Sequence, residues 1–76
     1  METFGKSFKK QREFRRVKKE AFCSAIGIDL NILEAIEAGE KAPPQDEQTF
    51  ATWLEASAIP LDKLVRGILW NLAQDF

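Results

Sequence analysis

Five stretches of this chain space their apolar residues three and four apart, and the breaks between them fall at Arg16-Val17, at Gly27, across Gly39 to Pro44, and at Pro60. A period near 3.6 puts one apolar stripe on each helix, and each stripe must be buried against the others. The 76 residues suffice for one domain with one small core, and 45% apolar content with six Phe and two Trp fills it without a metal or a disulfide. The expected fold class is all-α: a compact five-helix domain over 1–76, with 61–76 as its C-terminal helix.

Phe4 and Phe8 share a face that Arg12 continues, which predicts a first helix over about 3–15 with a short apolar stripe and a wide basic surface. Val17, Phe22 and Ile26 resume the period, with Glu20 and Ala21 as good helix formers, so a second helix is expected at about 18–25. Gly27 ends it. Glycine reaches positive φ without a Cβ clash, which suits a sharp reversal, and Asp29 stands two residues on as an N-cap. Ile32, Leu33 and Ile36 carry a third helix over about 30–38 to Gly39. In Lys41-Ala42-Pro43-Pro44 each proline removes a donor and biases the residue before it to extended backbone, which predicts a loop. A fourth helix starts at Gln45 or Asp46, runs through Phe50, Trp53 and Leu54, and ends before Pro60. Leu61, Leu64, Val65, Ile68 and Leu72 form the apolar face expected to be buried in a fifth.

Charge is sorted along the chain. Residues 1–20 hold eight Lys or Arg against three acids, a balance of +5, while 21–76 hold three bases against nine acids, so the total of −1 hides a strong dipole. The basic run of Lys6, Lys9, Lys10, Arg12, Arg15, Arg16, Lys18 and Lys19 passes the first helix and ends directly before the apolar pattern that Gly27 breaks. A helix-turn-helix protein needs its phosphate contacts there, which points to nucleic acid; the other reading is the solvated face of an amphipathic helix.

Enzyme chemistry has little to draw on. The sequence has no His, and its one Cys lies in an apolar run, so neither the usual zinc ligand sets nor a Cys/His or Ser/His nucleophile can be assembled. Glu34 with Glu37 and Asp46 with Glu47 read as solvated charges rather than a catalytic pair. No catalytic residue, metal or cofactor is expected. Cys23 cannot form an internal disulfide and reads as a small packing residue in a reducing compartment. No window approaches the roughly 20 apolar residues of a membrane span, and no apolar stretch of signal-peptide length opens the chain. A cytoplasmic protein with no membrane partner is the expectation.

Within 18–38, small Cys23 stands four residues before Gly27, and Leu33 and Ile36 lie beyond the turn, which suits two helices crossing at a steep angle. Taken in order, Arg12, F22-C-S-A-I-G-I-D, L33-E-A-I-E-A-G, the pair Pro43 and Pro44, and A58-I-P-L-D-K-L make the chain resemble the Cro/CI-type (Xre) helix-turn-helix family over about residues 4–64. The last string is similar to the family's usual Gly-Val-Ser-Leu-Asp-Glu-Leu. The resemblance implies a lambda-repressor-like domain whose second and third helices form the helix-turn-helix, in a DNA-binding transcriptional regulator. It implies a bidentate pair between Arg12 and Glu37, the glutamate two residues before the glycine that closes the third helix, bracing the first helix against the third. Lys18 and Lys19 stand where the family touches phosphate, and Lys9, Arg15, Arg16 and Lys41 are further phosphate candidates. Leu30, Asn31 and, one turn later, Ala35 match the positions that enter the major groove. Asn31 is either a reader that bonds an adenine edge twice or a solvent-exposed polar residue, while Leu30 and Ala35 meet only a thymine methyl.

The chain departs from the family pattern in two places. The second helix commonly opens with Ser or Thr followed by Gln, whereas Lys18-Lys19 keeps phosphate affinity and gives up the cap and the amide. The third helix has no Lys or Arg, and Glu34, Glu37 and Glu40 gather on or just after it. With Glu37 neutralised by Arg12, Glu34 and Glu40 are expected to repel phosphate. Two function classes therefore stand: a transcriptional regulator that binds double-stranded DNA, or a helix-turn-helix-fold interaction module, an anti-activator or adaptor, whose acidic third helix docks another regulatory protein. At the C-terminal end Leu69, Trp70 and Phe76 lie outside the expected buried face. They form a homodimer interface, or else Trp70 folds back over the first or fourth helix.

Overall fold

A computed structural model describes residues 3–59 and 63–75, which form five helices: α1 (Phe4–Phe14), α2 (Lys19–Ile26), α3 (Leu30–Glu37), α4 (Glu47–Ala56) and α5 (Lys63–Gln74). No strand occurs among the described residues, and the helices pack into a globule of 26 × 25 × 22 Å.

The first four helices stop in the same way. The N–H donors of Val17, Ile28, Glu40 and Ile59 bond back to the carbonyls of Arg12, Cys23, Ala35 and Leu54 at 3.1, 3.1, 2.9 and 3.0 Å. Each closure needs the residue before the donor in the left-handed region, and these are Arg16 (φ 59°), Gly27 (φ 74°), Gly39 (φ 80°) and Ala58 (φ 57°). The two glycines adopt it without a Cβ clash; Arg16 and Ala58 do so against one. At the helix starts, Thr3 Oγ1 accepts from the Lys6 N–H at 3.2 Å and Asp46 accepts from the Thr49 N–H at 2.9 Å. Asp29 takes the extended N-cap backbone of α3, but its side chain makes no cap bond, so the cap expected there is one of backbone position only.

The core is built on rings. Trp53 of α4 sits 5.3 Å from Phe8 and 5.1 Å from Phe22, which are 5.4 Å from each other, so α1, α2 and α4 share one aromatic cluster. Leu33 and Ile36 of α3, Leu54 and Leu69 close around it. Gly5 marks where α1 meets the end of α3: a Cβ there would overlap the Ile36 carbonyl and lie 2.7 Å from Glu37 Cα.

The buried face of α5 is rotated from the expected one. Leu69 (2% exposed) and Ala73 (0%) face the core, with Val65 and Leu72 half-buried against it as expected, whereas Leu64 (70%) and Ile68 (52%) face outward. Apolar residues cover most of this helix's circumference, so their period permits either face, and packing against α1 and α4 decides. Ala73 allows close approach: its carbonyl accepts from Gln45 Nε2 at 3.0 Å, while Gln45 also bonds the Pro43 carbonyl at 3.2 Å and so ties the proline loop to α5. Trp70 is half-buried with its ring edge-on to Phe50 of α4 at 4.9 Å. Leu69 therefore cannot serve a homodimer interface, because it is inside the molecule; Trp70 takes the folded-back position over the fourth helix; Leu61 and Phe76 lie outside the described residues.

Candidate nucleic-acid interface

Arg12 is the buried pivot behind the basic surface. Its guanidinium bonds Glu37 twice, Nε to Oε2 at 3.0 Å and Nη2 to Oε1 at 3.3 Å, and Nη1 donates to the Val17 carbonyl at 2.8 Å. With side chains 3% and 5% exposed, the pair joins α1, the turn into α2 and the end of α3. Cys23 lies close by, and its thiol pKa is pushed up first by burial and then by the Glu37 charge, so it stays a protonated packing group.

The turn delivers the start of α2 to the surface. Lys18 holds the N-cap position with extended backbone and no capping side-chain bond. The first N–H groups of α2 therefore lack both an intrahelical acceptor and a side-chain cap, at the positive end of the helix dipole. Residues of the same segment line a groove of about 470 Å³, Arg16, Lys18 and Lys19 together with Arg12, Glu13, Val17 and Glu20.

Lys19 also reaches across to α3. Its Nζ lies 3.2 Å from Glu34 Oε2, with the two side chains 36% and 48% exposed. A second hollow of about 210 Å³ beside this pair is lined by Lys9, Lys19, Glu34, Glu37 and Ala38. On α3, Leu33 and Ile36 are buried while Asn31 and Glu34 are exposed, so Asn31 and Glu34 share the outward face. Leu30 and Ala35 are half-buried; Leu30 packs partly against the core, which leaves Asn31 as the freer group at the start of the helix.

Lys19 and Glu34, separate charges in the sequence, are paired here, and the contact offsets part of each charge while leaving both side chains partly exposed. The residues are fifteen apart, beyond the reach of helical i, i+4 spacing, and only the approach of α2 to α3 brings them together. Arg15 stands apart from the groove. It is half-buried at the C-cap of α1, with Nη2 on Gln11 Oε1 at 3.2 Å and its guanidinium 5.7 Å from the Phe14 ring centroid. Lys9 is exposed beside the second hollow, and Lys41 is exposed in the loop after α3.

No family model matches this chain, nor does any curated protein or solved structure. Among the described residues no group of His, Cys, Asp and Glu could hold a metal ion, and no helix is long and apolar enough to cross a membrane. The surface offers cations beside the uncapped start of α2 on one side, and an amide with a carboxylate on the other. Such groups suit recognition of a polyanion that carries hydrogen-bonding edges.

Proposed function

We propose that this chain is a small helix-turn-helix DNA-binding regulator in which α2 and the Arg16-Val17 turn set position on phosphates and the outward face of α3 enters the major groove. One observation carries the reading. The uncapped start of α2 opens between Arg16, Lys18 and Lys19, and Lys19 reaches the face of α3 that holds Asn31, so phosphate-seeking and base-reading groups adjoin. The role is binding rather than catalysis, in the cytoplasm with the DNA.

Duplex affinity measured against salt tests this. Each neutralised phosphate contributes about −0.9 to the slope of log affinity on log salt, so Arg16→Ala with Lys18→Ala should flatten the slope by roughly two units. Asn31→Ala should relax preference at one base pair and leave nonspecific binding nearly unchanged. A wild-type slope near zero rejects the DNA reading. It would favour the second one, docking of a regulatory protein on the acidic α3, for which the exposed Glu34 and Glu40 and the absence of any base on that helix speak.

Pairing of two copies on adjacent half-sites completes the proposal. Phe14 and Ile68, 80% and 52% exposed, supply apolar surface that Leu69 does not. Ile68→Asp should then move the solution mass from two chains to one, and a wild-type mass of one chain removes the pairing.

A further inference from the structure

Lys19 and Glu34 present an ammonium and a carboxylate at hydrogen-bonding separation, 3.2 Å, on a face that both α2 and α3 expose. From this geometry we infer that the two side chains act as one composite reader of a G·C base pair, with Lys19 on the guanine and Glu34 on the cytosine. The inference rests on the DNA reading above.

In the major groove, guanine offers two adjacent acceptors, N7 and O6, and its partner cytosine offers the N4 amino donor beside them. An ammonium has three donors and no acceptor; a carboxylate has acceptors only. Lys19 can give two donors to the guanine edge and keep its third on Glu34 Oε2, while the other Glu34 oxygen accepts from cytosine N4. Every group is then satisfied. On an A·T pair the single N6 donor lies between two acceptors with the thymine methyl at the flank, so the ammonium loses one contact and the carboxylate faces a methyl or an acceptor. The pair also fits its neighbour on α3. Asn31 and Glu34 are both exposed and three residues apart, about 4.5 Å along the axis, close to the roughly 3.4 Å step between base pairs, so the two would address adjacent pairs.

A second consequence separates this from a mere staple between helices. Glu34 holds a lysine that would otherwise go to phosphate, and it adds a negative charge where DNA approaches. Removing the carboxylate should raise sequence-independent affinity while erasing preference at one position.

The test is selection from random duplexes at moderate salt, with salt titrations, on the full chain and on Glu34→Gln and Glu34→Ala. The full chain should enrich a site containing a G·C pair favoured about ten-fold or more at one position. Glu34→Ala should lose that preference, bind unrelated duplex more tightly and steepen the salt slope by about one unit. Glu34→Gln should move the preference toward adenine, whose edge an amide bonds twice, and it carries the test if the alanine variant loosens the contact of α2 with α3. Positions that depend on Asn31 should stay the same in all three proteins. An enriched site that both variants leave unchanged, or binding with a steep salt slope and no enriched site, overturns the composite reader and leaves DNA binding in place. A flat slope with no enrichment removes the DNA reading and the composite reader together.

Discussion

Replacing Arg12 with Met keeps the apolar stem and removes the guanidinium. Three hydrogen bonds go with it: two to Glu37, whose side chain is 5% exposed, and one to the Val17 carbonyl. The main effect is the uncompensated buried carboxylate, and breaking a buried pair from one side costs about 3–5 kcal/mol. A chain of this length has a folding stability of roughly 4–11 kcal/mol, so the variant should lose a large share of its margin. At about 4 °C or more per kcal/mol for a domain of this size, the melting temperature should fall by at least about 12 °C. The double variant Arg12→Met with Glu37→Leu removes both charges and leaves mainly the Val17 carbonyl to be satisfied, a loss of roughly 1–3 kcal/mol. It should therefore be more stable than the single variant, although it carries one more substitution. Urea unfolding followed by the fluorescence of core Trp53 measures both. A single-variant loss below about 1 kcal/mol, the range of exposed pairs, or a double variant weaker than the single, would refute the reasoning.

Three further outcomes follow from the helix ends and contacts. Ala58→Gly should stabilise the fold by about 0.5–1 kcal/mol, since relief of the left-handed strain exceeds the added freedom of the unfolded chain; a lower urea midpoint would contradict the closure described for α4. Gly5→Ala should destabilise by roughly 1–3 kcal/mol despite alanine's better helix propensity, because the new methyl overlaps the backbone of Ile36 and Glu37; a raised melting temperature would show that α1 and α3 do not meet there. The Thr49 N–H holds the Asp46 carboxyl below its ordinary pKa. Its contribution is then complete above the unfolded aspartate pKa and lost as pH falls through the folded value, so Asp46→Asn should show less acid sensitivity than the parent in urea midpoints taken down to about pH 2.5. Parallel curves would deny the cap.

The number of helices and most of their ends were legible because period and punctuation agree: Gly27 and Gly39 stand where left-handed backbone is needed, and Pro43 and Pro44 stand outside the helices. The turn at Arg16 carries no such mark, since the usual residue there is glycine, and sequence could only register a break in the pattern. The face of α5 was not legible. Leu64, Val65, Ile68, Leu69 and Leu72 satisfy two different helical stripes, and only the neighbouring helices choose between them. At the candidate site, Arg12 and Glu37 are twenty-five residues apart and could be joined beforehand only through the family pattern. Lys19 with Glu34 had no such guide. Read one residue at a time, opposite charges on separate helices look like an attractive cation and a repulsive acid; placed in contact they become a single group with both a donor and an acceptor.

The four matching helix closures are made by main-chain atoms, and the ring cluster locks the interior, so the path of the chain owes little to what α3 displays to solvent. Changes at Asn31 or Glu34 can alter the surface that α3 presents while the chassis stays intact. The outer face of such a domain can change by small steps, each one viable, and novelty at the rim does not have to wait for repair at the centre.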